Sequence, residues 1–170
     1  MTKVAKKKIN ETKMNLSLGV IQLKGEYTIR HFRNGNLLSE EVLDNTVTNT
    51  GIADIAGSIN GNRTQNFKWL ALDASSTAAA AANTALASEI TDAGLGRVAA
   101  TPTQVTTTLS SDTAQCVKTF SATATKTVYG VGLFDTSTAS GGTMTSRVTF
   151  AAKNMLSGDS LCITHRMKVA

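Results

Sequence analysis

GEYTIRHFRNGNLLSEEVLDNTV, residues 25–47, is the stretch on which the fold turns. Tyr27, Ile29 and His31 alternate with Glu26, Thr28 and Arg30, the two-residue period of a strand with one buried face. Asn34-Gly35 follows, and both residue types accept the positive φ of a type I′ turn, the tightest link between antiparallel strands. Residues 37–47 then read as one returning strand, so a β-hairpin is expected over residues 25–47.

Beyond the hairpin, Thr48-Asn49-Thr50 offers N-cap side chains ahead of Ile52, Ile55, Ala56 and Ile59. That i, i+3, i+4, i+7 spacing predicts a short helix packing on its isoleucine face, weakened by Gly51 and Gly57 and ended near Gly61. FKWLAL (residues 67–72) reads as a compact strand. The alanine run at 78–82, flanked by Ser, Thr and Asn, reads as a loop, with one helical turn expected over residues 85–90. Strands are expected over 97–101, 105–109, 114–123, 127–134, 144–150 and 161–169, with Pro102 ending or edging the first of these. In the last, Leu161, Ile163, His165, Met167 and Val169 share one face, and Cys162, Thr164, Arg166 and Lys168 share the other. Short strands at this spacing, without a long helix or a fixed-period repeat, predict a mainly β chain. The expected architecture is one β-sandwich or small barrel over residues 19–170, with one or two short helices and an extended basic arm over residues 1–18.

Composition points the same way. The chain's 170 residues suffice for one core. Charged residues make up only 17%, and Thr, Ser and Asn supply the polarity, a surface suited to packing against neighbours. The net charge of +5 is uneven, because Lys3, Lys6, Lys7, Lys8 and Lys13 against Glu11 place +4 of it in residues 1–15. A basic tail on a near-neutral body predicts an arm that docks on an acidic surface, and these five lysines are the candidate partner-binding residues. The arm has no aromatic for base stacking, and Arg30, Arg33, Arg63, Arg97, Arg147 and Arg166 are dispersed. A protein surface is therefore a better partner than nucleic acid. No apolar run approaches membrane-spanning length, so no membrane partner is expected. The lysines run into Ile9-Asn10-Glu11-Thr12 and not into the apolar core of a signal peptide, so synthesis in the cytoplasm is expected.

No arrangement calls for catalysis, a metal or a cofactor, and the expectation for each is none. His31 and His165 are isolated in strand-like segments and read as structural residues, and no GxSxG elbow is present. Glu40-Glu41 lies on one strand with its side chains directed to opposite faces. Asp54, Asp73, Glu89 and Asp92 are the only acids near the middle, with no spacing that brings two together across a cleft. Gly94-Leu95-Gly96-Arg97 lacks a phosphate-loop spacing and reads as a turn. Cys116 and Cys162, 46 positions apart, fit neither a zinc site nor a CxxC redox pair; each reads as a small buried hydrophobe, although a bridge between them stays open.

The segments in order resemble a family. GEYTIRHFRNGNLLSEEVLDNTVTNTGIADIAG (residues 25–57) is similar to the opening of many small virion proteins of tailed bacteriophages, where a hairpin leads into N-x-V-T/V-N-x-G and a short helix. FKWLALD (67–73) looks like their W-x-x-(A/G)-L strand, and TALASEI (84–90) like the segment behind it. VYGVGLFDTSTASGGTMTSRVTFAAKNMLSGDSLCIT (128–164) resembles the G-L-F-(N/D)…G-x-M-x-x-R-x-x-F…G-D-x-L ending of tail-fibre-like and head-associated proteins. The resemblance covers residues 25–165 and leaves the arm outside it. It implies a non-enzymatic virion component, first a homo-oligomeric capsid decoration or cement protein bound to the major capsid protein or another virion protein. Second comes a tail, baseplate or tail-fibre-associated protein.

Overall fold

The computed structural model describes residues 23–63 and 66–169. β1 (Leu23–Arg33) and β2 (Asn36–Asp44) form the hairpin, with Arg33 opposite Asn36 across the two-residue turn. Asn34 and Gly35 hold φ of 51° and 77°, the positive values a type I′ turn requires. The returning strand stops short of Val47, however. It ends at Asp44, and β3 (Thr46–Val47) leaves for a second sheet. Asn45 makes the crossing: its N–H donates to Gly25 O at 3.0 Å, and its side chain fills the space where a Cβ on Gly25 would stand.

The chain is mainly β, two antiparallel sheets packed as a sandwich. The first has the order β2-β1-β10-β7-β6, built with β6 (Thr101–Val105), β7 (Thr113–Ser121) and β10 (Ser160–Val169). The second has the order β3-β9-β8-β4-β5, built with β4 (Trp69–Asp73), β5 (Val98–Ala99), β8 (Lys126–Phe134) and β9 (Met144–Met155). Facing residues of both sheets make one core, with Tyr27, Ile29, Leu161 and Ile163 on one side and Leu70, Leu72, Val131 and Val148 on the other. The alternation expected in β10 holds for Leu161, Ile163, His165 and Met167, which are buried, and for Cys162, Arg166 and Lys168, which are half-exposed. It fails at Thr164, which is buried as well, and at Val169, which is exposed at the strand end. Cys116 and Cys162 are free thiols on opposite faces of the first sheet, since Cys116 pairs with inward His165 and Cys162 with Thr119.

Three further expectations change. The strand expected over 97–101 is divided, because Ala100 carries the chain from β5 in one sheet to β6 in the other; Pro102 then sits on β6, the outermost strand, where its missing N–H costs nothing. Residues 106–112 form a turn in place of the strand expected over 105–109. The Asp112 carboxylate gathers the N–H groups of Thr107, Thr108 and Leu109 at 2.9, 2.8 and 2.9 Å, and a backbone bonded to a carboxylate is not free for a ladder. Those bonds, Leu109 first, hold the Asp112 carboxyl well below the usual carboxylate range. No helical turn forms over 85–90, where Asp73 and Glu89 instead make an isolated bridge.

The helix α1 (Asn49–Ile59) starts where expected, with Thr48 as N-cap accepting from Gly51 N–H at 3.0 Å and donating to Met144 O. Its packed face is rotated away from the expected one. Gly51 and Asp54 are buried, whereas Ile52 and Ile59 are 52% and 82% exposed. The cause is distance of approach: a Cβ on Gly51 would strike the carbonyl of Thr145 on β9, so the helix seats its smallest residue against the sheet and turns Ile52 and Ile59 outward, while Ile55 stays partly buried. Helix propensity alone favours Ala over Gly by about 1 kcal/mol. Here Gly51→Ala is expected to do the opposite and lower stability by about 1–3 kcal/mol. Urea denaturation reads the sign, and an unchanged or raised midpoint would contradict this contact. Among the described residues, no helix is long and apolar enough to cross a membrane.

Candidate functional site

Residues 74–97 run as a strap that covers part of the outer face of the second sheet, where Leu86 packs on Ala71, Phe134 and Met144, and then sends Ile90 and Leu95 into the core between the sheets. Two buried ion pairs fasten it. Asp73, at the end of β4, receives Arg147 Nη2 at 3.2 Å, and the two side chains are 0% and 1% exposed. The same carboxylate accepts from Ser75 N at 3.0 Å, Ser88 N at 2.8 Å and Ala87 N at 3.3 Å. Arg147 in turn donates to Thr77 O at 3.0 Å and to Asn83 Oδ1 at 3.0 Å. Further along, Glu89 receives both Nε and Nη2 of Arg97, at 2.8 and 2.7 Å, and Arg97 lies 3.7 Å over the Phe134 ring. Arg97 Nη1 reaches the carbonyls of Thr136 and Gly141 at 3.2 and 2.9 Å, which ties the strap to the β8–β9 loop.

A second polar group lies in the core where the chain changes sheet. His165 Nε2 is 3.2 Å from Asn45 Nδ2 and 3.2 Å from Ser146 Oγ, and Ser146 Oγ is 3.1 Å from the Tyr27 hydroxyl. The tyrosine and histidine rings meet at 4.7 Å. Burial pushes the His165 pKa down to about 4 and the Tyr27 hydroxyl well above its ordinary value, so both are neutral across the physiological range. An apolar cavity of about 280 Å³ opens beside them, lined by Ile55, Phe67, Leu133, Thr145 and Cys116. Burial raises the Cys116 thiol to about 11, which makes it a poor nucleophile.

His31 is also buried, and its Nε2 stands 3.1 Å from Asp159 Oδ2. Asp159 takes two arms of Arg33 and the N–H of Leu156 besides. The Arg33 guanidinium, helped by the Leu156 N–H and His31, holds this carboxyl well below its usual range. The cluster closes the β9–β10 turn onto the hairpin. Every acid singled out near the middle of the chain has its own cation: Asp54 pairs with Arg63, Asp73 with Arg147, Glu89 with Arg97 and Asp92 with Lys126. Glu40 and Glu41 do face opposite ways, to Arg30 and to Lys153.

With these groups engaged in internal clamps, the candidate functional site is a surface. The exposed large apolar residues concentrate on β2 (Leu37, Leu38 and Val42, at 51, 50 and 58%) and on α1 (Ile52 and Ile59). Composition signalled a surface made for packing, but no local motif marked the outward faces of these two elements as that surface. Lys3, Lys6, Lys7, Lys8 and Lys13, the docking residues expected from charge, lie outside the described residues. No protein-family model, curated protein or solved structure matches this chain.

Proposed function

We propose that this chain is a structural component of a tailed-phage virion, a capsid decoration or cement protein that binds the outer capsid lattice through its basic arm and domain edges. The observation that supports this reading is the division of its chemistry. Buried charged side chains such as Asp73, Arg147, Glu89 and Arg97 are used to brace loops, while exposed apolar side chains lie on an edge strand and a helix. The segment order shared with small virion proteins supports it further. A decoration protein holds its lattice through many weak contacts multiplied by avidity, and five lysines close together suit such an arm. No reaction is assigned to the chain in this reading.

The test is incorporation into particles. Replacing Lys3, Lys6, Lys7, Lys8 and Lys13 with glutamine in the full chain is expected to reduce particle-bound protein by about tenfold or more, most strongly at low salt. Full occupancy by the substituted chain would end the arm hypothesis. Stained-gel copy number tests the location: a decoration protein approaches the major capsid protein in amount, whereas a tail or baseplate protein appears in small multiples of three or six.

A further inference from the structure

β2 is the one long strand edge that the described residues leave open. The other three edges of the sandwich are blunted: β3 and β5 have two residues each, and β6 carries Pro102 among polar residues. β2, by contrast, has nine residues, no proline and no lysine, and pairs only with β1 among the described residues. A long edge with half-exposed Leu37, Leu38 and Val42 is a template for another strand.

We propose that this edge pairs antiparallel with β2 of a second copy about a two-fold axis at Glu40, joining two five-stranded sheets into one of ten strands. The sequence of the strand names the partner, because it is self-complementary. In LLSEEVL (residues 37–43) an apolar pair stands at each end of three polar residues, centred on Glu40. Antiparallel pairing about that residue sets Leu38 opposite Val42 of the second copy, and Val42 opposite Leu38. The bulge at Leu38, where the register with β1 slips between His31 and Phe32, places Leu37 beside the same contact. Such an isologous arrangement buries each apolar cluster twice.

Charge agrees with this register. Two glutamates meeting at an axis repel unless neutralised, and each Glu40 here brings its own cation, Arg30 Nε at 2.6 Å. That hydrogen bond already holds the Glu40 carboxyl below its usual value. The axis thus carries two arginines and two glutamates in alternation. Glu41, on the inner side, is neutralised by Lys153 and adds no free charge to the edge. The proposal is independent of the virion reading, because purified protein alone tests it.

The experiment uses the full chain in sedimentation and disulfide trapping. Wild-type protein is expected to sediment as a dimer at micromolar concentration, and Val42→Lys to weaken dimerisation roughly 100-fold while circular dichroism stays unchanged. Glu40→Cys faces its own symmetry mate, so mild oxidation is expected to give a covalent dimer rapidly; Asp44→Cys, displaced from the axis, is expected to remain uncrosslinked. A wild-type monomer, a dimer indifferent to Val42→Lys, or equal trapping at both cysteines would overturn the two-fold pairing.

Discussion

Asp73→Ala is expected to lower stability by about 3–5 kcal/mol, a large share of the margin of a domain this size. The change strips a buried guanidinium of its counter-charge and leaves the N–H groups of Ser75, Ala87 and Ser88 without their acceptor. A polar group buried without a partner carries its full desolvation cost, which exceeds the modest net gain of making the bond. The midpoint of thermal unfolding is expected to fall by about 10 °C. Limited proteolysis should then open within residues 74–97 before the rest of the fold. Replacing both partners, Asp73→Leu with Arg147→Met, removes the uncompensated charge but still orphans three amides. It is therefore expected to recover part of the loss only. A double variant as stable as the wild type would mean that the backbone amides find other acceptors and that the carboxylate's role is charge alone.

The second large effect is a pH dependence set by His165. Its folded-state pKa is pushed from 6.5 to about 4 by burial, so the unfolded chain takes up a proton between these values that the folded chain refuses. Stability is accordingly full above pH 6.5 and falls as the pH drops toward 4, by roughly 3 kcal/mol in total. Denaturant titrations across this window are expected to show the slope in the wild type and its loss in His165→Gln, whatever that variant loses at neutral pH. Below the window, Asp159 and Asp112 act with the opposite charge type. Their carboxyl pKa values are held low in the fold, so their contribution is present above the ordinary carboxylate range, begins to fall there and is lost as the pH drops through their lowered folded-state values. His165→Gln is expected to keep that lower decline. A slope between pH 6.5 and 4 that survives the substitution would refute the assignment.

What was legible in the sequence was whatever is decided within a few residues. Asn34-Gly35 needs only its own backbone preferences to make a turn, and the alternation of Leu161, Ile163, His165 and Met167 shows a buried face without knowledge of what covers it. Thr48 caps its helix by the same local logic. The errors arose where a distant segment intervened. Ile52, Ile55, Ala56 and Ile59 have ideal spacing for a packed helix face, yet the β9 backbone accepts only Gly51 at that distance. Nothing within residues 37–47 says that Asn45 will bond to Gly25 and divert the chain into another sheet. The strap is illegible for the same reason: Arg147 lies 74 positions from Asp73, and the acid shows no sign of its partner until β4 and β9 lie in one sheet. The lysines of the arm were plain from composition, whereas β2 emerged as an edge only from the strand order.

The strap has a geometric consequence. It covers the outer face of the second sheet around Ala71, Phe134 and Met144, whereas the outer face of the first, with Arg30, Glu40, Val42 and Thr119, has no such cover among the described residues. The subunit thus has an obverse and a reverse. Two copies joined at β2 would turn both obverse faces the same way, giving a tile whose two sides differ in what they offer a partner.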